Sequence, residues 1–140
     1  MGIAALILWL LTAAGGFVLL GTWIAKGGAR QPSSSHLPVP VVFGHFLLAV
    51  AGLLVWIVYL AIDNEALAWV AFGLLVPVAL LGFTMLARWL PVYRARTANR
   101  VAAEAPAERH FPVAIVGGHG VLAVTTVVLV LLTALGVGGN

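Results

Sequence analysis

The chain has 140 residues, of which 63% are hydrophobic and only 8% are charged. A soluble domain usually carries about 25% charged residues, so this composition excludes an ordinary soluble globule. Its hydrophobicity also excludes a disordered tail. The absence of cysteine from the sequence excludes disulfides, thiolate metal sites, iron–sulfur clusters and covalently attached c-type haem.

Four apolar segments follow one another along the chain, and each is long enough to cross the hydrocarbon core of a bilayer as a helix. The first, 3–25, lacks a positive leading region and is too long for the apolar part of a signal peptide. The sequence therefore predicts an all-α fold, a four-transmembrane-helix bundle forming a single integral membrane domain over 1–140. The predicted spans are about 3–25, 38–62, 66–90 and 111–137.

The connections between these spans are short or polar. A loop rich in Gly, Ser and Pro follows the first span, and Asp63-Asn64-Glu65 is predicted to form a tight turn. Pro77 lies inside the third span, where we expect a kink that neighbouring helices can accommodate. The longest loop, 92–109, is expected to hold a short amphipathic helix at the membrane surface.

The charged residues predict the orientation. All the basic residues fall on one side of the predicted bundle, whereas Asp63 and Glu65 occupy the other side without Lys or Arg. The positive-inside rule places the basic loops in the cytoplasm and both termini outside, in a bacterial-type inner or plasma membrane. The basic residues are therefore explained first by membrane topology and only then by binding of a ligand. The sequence has no run of basic residues interleaved with aromatics, so it does not suggest nucleic-acid binding. The residues on the basic side are Lys26, Arg30, Arg88, Arg94, Arg96, Arg100 and Arg109.

An internal repeat carries all four histidines of the chain. The segment HLPVPVVFGH, from His36 to His45, aligns with HFPVAIVGGH, from His110 to His119, at an offset of 74 residues. Nine of the first fifteen aligned positions are identical. The first and third spans share only a Leu-Leu-Gly triplet at 19–21 and 80–82. The pattern predicts two repeated helical hairpins, with the repeat at 36–61 and 110–135.

The repeat predicts the position of each histidine. His36 and His110 each precede a proline by two residues, so we expect them at or just before a helix start. His45 and His119 then lie about two turns into the membrane, opposite each other at a common depth. A polar group at that depth is costly without a partner, which makes this pair the main candidate site.

Two kinds of ligand suit paired histidines. A single metal ion held by all four is disfavoured, because nine residues of helix separate the two layers by about 13 Å, whereas Zn–N bonds are about 2.0–2.1 Å. Haem b fits better between His45 and His119 on diagonal helices, with Gly44 and Gly118 letting a flat macrocycle approach the backbone. His36 and His110 are candidates for a second haem, and Arg30 and Arg109 for pairing with haem propionates. The same glycines also suit ordinary close packing of membrane helices.

The four histidines and four spans resemble small membrane cytochromes b, four-helix proteins in which histidines on facing helices ligate haem. The resemblance implies a membrane-embedded b-type haem protein that transfers electrons, with quinone or a partner subunit exchanging them. All four histidines lie towards one face, which differs from cytochromes with haems near both faces.

Two other functions remain open from the residues. The chain is equally typical of a cofactor-free accessory or scaffolding subunit of a larger membrane complex or homo-oligomer, with the histidines as polar contacts between helices. A histidine-based transition-metal or proton-handling protein is the further alternative. A stand-alone enzyme is not favoured, because the sequence has neither a hydrolase motif nor a nucleotide-binding motif.

Overall fold

The computed structural model describes residues 1–30, 34–97 and 105–137 and is all-helical in these segments. Four long helices account for most of it, and a short 3-10 turn, Ala107–His110, precedes the last one. The helices are α1 (Gly2–Ala25), α2 (Val39–Ile62), α3 (Glu65–Thr97) and α4 (Val113–Ala134). Each is long and apolar enough to span a membrane, which confirms the predicted fold class at this level.

Prolines mark the starts of α2 and α4. Pro38 and Pro112 are extended and immediately precede these helices, as expected for a residue that lacks an N–H and fixes φ. His36 lies just before α2, and His110 ends the turn before α4, so their predicted positions are confirmed. Asp63 is left-handed, with φ of 52°, and ends α2 so that α3 begins two residues later. This is the predicted tight turn.

The third helix is longer than predicted. Its span was expected to end near residue 90, with a separate short helix in the loop, but α3 continues without a break to Thr97. The reason is packing at the helix end. Trp89 is buried in a cluster with Ala107 and Phe111, and Val92 is buried one turn further along. An apolar helix face that is covered in this way favours continued helix despite Pro91. Residues 98–104 of the predicted loop lie outside the described residues.

The helices pack most extensively as α2 against α3 and α1 against α4, followed by α3 against α4. Contact between α1 and α2 is slight. The order around the bundle is therefore α1, α2, α3, α4, with α2 and α4 on a diagonal. The two closest pairs, α2–α3 and α1–α4, each join helices from different predicted hairpins.

The interior contains two apolar clusters, one towards each end of the bundle. The basic-end cluster is built around Trp23, Leu37, Trp89 and Phe111, and the opposite-end cluster around Trp9, Trp56, Tyr59 and Val130. Large apolar side chains such as Leu47, Leu80 and Val121 cover the outside and are largely exposed. An outer surface of this kind is suited to lipid rather than water, which agrees with four helices that are long and apolar enough to cross a membrane.

Candidate functional site

His45 on α2 and His119 on α4 face each other inside the bundle. Their ring centroids are 6.3 Å apart, and the ring planes are inclined at 58°. Along α2, His45 lies between Val42 of the basic-end cluster and Trp56 of the opposite-end cluster. The repeat alone predicted this opposition at a common depth, and the ring contact bears it out.

Each of these rings donates one hydrogen bond to the backbone of another helix. Nδ1 of His45 is 2.9 Å from the carbonyl oxygen of Val78 on α3. Nδ1 of His119 is 2.8 Å from the carbonyl oxygen of Thr12 on α1. A carbonyl oxygen can only accept, so each Nδ1 carries its hydrogen. In a neutral imidazole the other nitrogen, Nε2, then has a free lone pair.

Glycines let both rings lie against the neighbouring backbone. A Cβ at Gly16 would be 3.2 Å from Cε1 of His119, and a Cβ at Gly82 would be 3.3 Å from Cε1 of His45. Gly15 also lies against His119, with its ideal Cβ 3.5 Å from the Cβ of that histidine. We call the Thr12 carbonyl with Gly16 the α1 support, and the Val78 carbonyl with Gly82 the α3 support.

The two supports are equivalent positions in α1 and α3. Gly16 follows Thr12 by four residues and Gly82 follows Val78 by four, which aligns the two helices at an offset of 66 residues. At this offset the motif Gly-Phe-x₅-Trp recurs, as residues 16–23 and as residues 82–89. The Leu-Leu-Gly match found in the sequence implies a different offset, and the structure replaces it with this one.

The tryptophans of that motif make comparable contacts. Trp23 Nε1 donates to Ser35 Oγ at 2.8 Å, and Trp89 Nε1 donates to the carbonyl oxygen of Glu108 at 3.1 Å. Both acceptors lie in the segment that leads into the next repeat helix, α2 or α4. Each tryptophan thus joins its helix to that segment at the basic end of the bundle.

His36 and His110 have separate partners. His36 is largely exposed, and its Nδ1 is 3.0 Å from Oε1 of the fully buried Glu108. His110 is exposed, and its Nδ1 is 3.3 Å from the carbonyl oxygen of Ala107. No ring contact joins His36 to His110 in the described parts of the chain. The structure thus brings together the deep pair but not the surface pair.

Of the remaining predicted site residues, Gly44 and Gly118 directly precede the two histidines in the chain, and Arg30 and Arg109 lie at the basic end. A Cβ at Gly44 would meet only the end of the Leu81 side chain, at 3.8 Å, and one at Gly118 would meet nothing within 4 Å. Arg30 is exposed at the basic end. Arg109 is half-buried there, and its carbonyl oxygen accepts a hydrogen bond from Arg96. Their roles towards a macrocycle or its propionates stay predictions.

The spacing of the deep pair can be compared with that of two imidazoles bound to one metal. Metal–nitrogen bonds of about 2.0–2.1 Å, plus the distance from each nitrogen to its ring centre, allow two imidazole centroids to lie up to roughly 6 Å apart. The observed spacing of 6.3 Å fits this arrangement. Within residues 1–30, 34–97 and 105–137, no group of three or more His, Cys, Asp or Glu forms a metal site. The nitrogen donors that the described residues bring together at this position are thus two imidazoles.

Three sets of contacts at the site were not assigned to particular residues from the sequence. The supporting groups on α1 and α3 are backbone carbonyls, which leave no side-chain signal at Thr12 and Val78. Gly16 and Gly82 could have been found from the repeated Gly-Phe-x₅-Trp motif. Glu108 had no signal, because its partners Ser35 and His36 lie more than 70 residues away in the chain.

Comparisons of the chain with protein-family models, with curated proteins and with solved structures give no match. The assignment of function therefore depends on the geometry of the site.

Proposed function

We propose that the protein is a membrane-embedded b-type haem protein for electron transfer, with one haem held between His45 and His119. The observation that carries the proposal is the pair of facing imidazoles whose Nδ1 hydrogens are bonded to backbone carbonyls. In histidines that ligate metals, the N–H of the other ring nitrogen commonly donates a hydrogen bond in this way. That bond fixes the tautomer and makes the ligating nitrogen more basic.

The residues at such a site would have different roles. His45 and His119 would supply the nitrogens that bind the iron, and the two supports would hold their rings in place. The two apolar clusters lie above and below the pair. Haem iron bound there would gain and lose one electron.

The proposal specifies one haem rather than two. His36 is paired with Glu108 and His110 with its own turn, so the surface histidines have partners other than a shared ligand. Quinone or a partner subunit, as expected from the sequence, would exchange electrons with the site.

Two broader features belong to the same proposal. Equivalent contacts at offsets of 66 residues in α1 and α3 and 74 residues in α2 and α4 support an origin by duplication of a helical hairpin. The basic residues at the ends of α1 and α3 support an orientation with that end in the cytoplasm.

The test is the visible spectrum of the purified protein, oxidised and then reduced with dithionite, from cells supplied with haem. We expect an α-band of low-spin bis-histidine haem b at one haem per chain. His45→Ala and His119→Ala should each abolish the pigment. His36→Ala and His110→Ala are the matched controls and should retain it.

A colourless wild-type protein would contradict the haem and favour the cofactor-free subunit, in which the histidines only join helices. That alternative has its own supporting observation, because each deep ring already has a hydrogen-bond partner on a neighbouring helix. Loss of pigment in the His36 or His110 variants would move the site to the membrane surface.

A further inference from the structure

Each histidine of the deep pair is held by a helix of the other hairpin. His45 belongs to the first hairpin but is held by α3 of the second, through the Val78 carbonyl and Gly82. His119 belongs to the second hairpin but is held by α1 of the first, through the Thr12 carbonyl and Gly16. This follows the packing of the whole bundle, in which α2–α3 and α1–α4 are the closest pairs.

The absence of a side chain at Gly16 and Gly82 is what allows this arrangement. A methyl group at either position would lie 3.2–3.3 Å from Cε1 of the ring and 3.6–3.7 Å from Nδ1. The distance to Cε1 is shorter than a relaxed carbon–carbon contact of about 3.5–4.0 Å. The ring cannot turn away freely, because turning lengthens the hydrogen bond to the carbonyl four residues earlier in the same helix. Each glycine and carbonyl therefore fix both the distance and the rotation of one ring.

Two other glycines of the same helices lack this contact. A Cβ added at Gly21 on α1 or at Gly73 on α3 would have no neighbour within 4 Å. On these two helices the glycines that approach a histidine ring are thus Gly15, Gly16 and Gly82, and Gly21 and Gly73 do not.

We infer that Gly16 and Gly82 are positioning residues for the histidine pair, each setting the ring orientation of the histidine that belongs to the other hairpin. The inference goes beyond the proposed function, because it assigns roles to residues on the two helices that carry no histidine. Its predicted effect on haem binding rests on the proposed function. The orientation of the rings themselves can be measured with or without a cofactor.

The first experiment compares Gly16→Ala and Gly82→Ala with Gly21→Ala and Gly73→Ala in the full-length protein, using titration with haem and electron paramagnetic resonance of the ferric form. Loss of a partner that orients a metal ligand typically lowers affinity about 10–100-fold. We expect a loss of at least roughly tenfold in haem affinity and an altered low-spin signal for the first two variants. The two controls should match the wild type in both readouts.

The second experiment is ¹⁵N NMR of protein labelled at histidine. The chain has only four histidines, so each can be assigned by substitution. In the wild type we expect His45 and His119 to carry hydrogen on Nδ1 and none on Nε2. Gly16→Ala should shift the resonances of His119, and Gly82→Ala those of His45, beyond the changes caused by the two controls.

These readouts separate the inference from the proposed function. The protein could be colourless, with hydrogen on Nδ1 of His45 and His119 and with resonances that shift in the Gly82 and Gly16 variants respectively. That result would overturn the proposed haem and retain the positioning roles. A pigmented protein in which all four alanine variants bind haem alike would retain the haem and overturn the positioning roles. If the Gly16 and Gly82 variants fail to fold, hydrogen on Nε2 of the wild-type rings would still overturn the inference.

Discussion

A histidine inside an apolar bundle must have a hydrogen-bond partner, since burying an unpaired polar group costs several kcal/mol by most measures. Here the partner is a backbone carbonyl on a neighbouring helix for both His45 and His119. Within an α-helix a carbonyl already accepts one hydrogen bond, and its second lone pair remains available. The bundle thus fixes two imidazoles with no polar side chain beyond the rings themselves.

Glu108 is the second buried polar group that organises the chain. Its carboxylate, fully buried, accepts hydrogen bonds from Ser35 Oγ at 2.8 Å and from the backbone N–H of His36 at 2.7 Å. Nδ1 of His36 lies 3.0 Å from the same oxygen. One side chain before α4 therefore holds the segment that leads into α2.

Glu108→Gln should lower stability, because an amide has one accepting oxygen where the carboxylate has two. One of the three donors would then face an NH₂ group, and a buried donor left without a partner costs about 1–3 kcal/mol. We expect a clear fall in Tm, measured in detergent by circular dichroism. Glu65→Gln is the matched control, since Glu65 is exposed at the opposite end, and it should have a small effect. Equal Tm values for the two variants would contradict the role given to Glu108.

At the scale of single helices, the contact between α1 and α2 is slight but includes a close approach at Gly52. A Cβ at Gly52 on α2 would be 3.1 Å from Cζ2 of Trp9 on α1, and both residues are buried. Trp9 belongs to the opposite-end cluster, which surrounds it with other large side chains. There is little room for its ring to move aside.

Gly52→Ala should therefore destabilise the protein by about 1–3 kcal/mol, the usual cost of overpacking a filled core. Gly73→Ala is the matched control, because a methyl group there meets nothing and alanine favours helix. We expect a lower Tm for the first variant and an unchanged or higher Tm for the second. A Gly52 variant as stable as the wild type would show that Trp9 can move without cost.

The helices could be predicted from the sequence because an apolar run flanked by proline, glycine or charge has few alternatives in a bilayer. The end of α3 could not, since Arg88, Arg94 and Arg96 look like the start of a loop. What keeps that segment helical is burial of Trp89 with Ala107 and Phe111, a contact between residues distant in sequence.

The histidine pair could be predicted because His, Pro and Gly recur at fixed spacing in α2 and α4. The alignment of α1 with α3 could not be predicted from Leu, Ala and Gly alone, which are common in every membrane helix. The repeated Gly-Phe-x₅-Trp motif is the sequence signal for that alignment. The hydrogen bonds from the two histidines to the Thr12 and Val78 carbonyls show which residues correspond.

At the scale of the whole molecule, the layers of the bundle are asymmetric along its axis. The basic-end cluster, the buried Glu108 and the histidine pair lie towards one end, whereas the other end has the Asp63 turn and an apolar interior. The described residues at the basic end also include six of the seven Lys and Arg residues of the chain. A haem in this position would lie nearer the basic end, so its electron partner would be expected on that side.

The orientation can be tested by labelling single cysteines, because the chain has none of its own. Ala66 and Ala95 are exposed residues near the two ends of the same helix, α3, so Ala66→Cys and Ala95→Cys form a matched pair. Since Lys and Arg near helix ends are retained on the cytoplasmic side, we expect a membrane-impermeant maleimide added to intact bacterial spheroplasts to label Ala66→Cys. Ala95→Cys, between two arginines, should react only after the membrane is permeabilised. The reverse pattern would invert the orientation and place the histidine pair towards the outer face. Labelling of both variants in intact cells would contradict a membrane-spanning α3, because its two ends would then lie on one side.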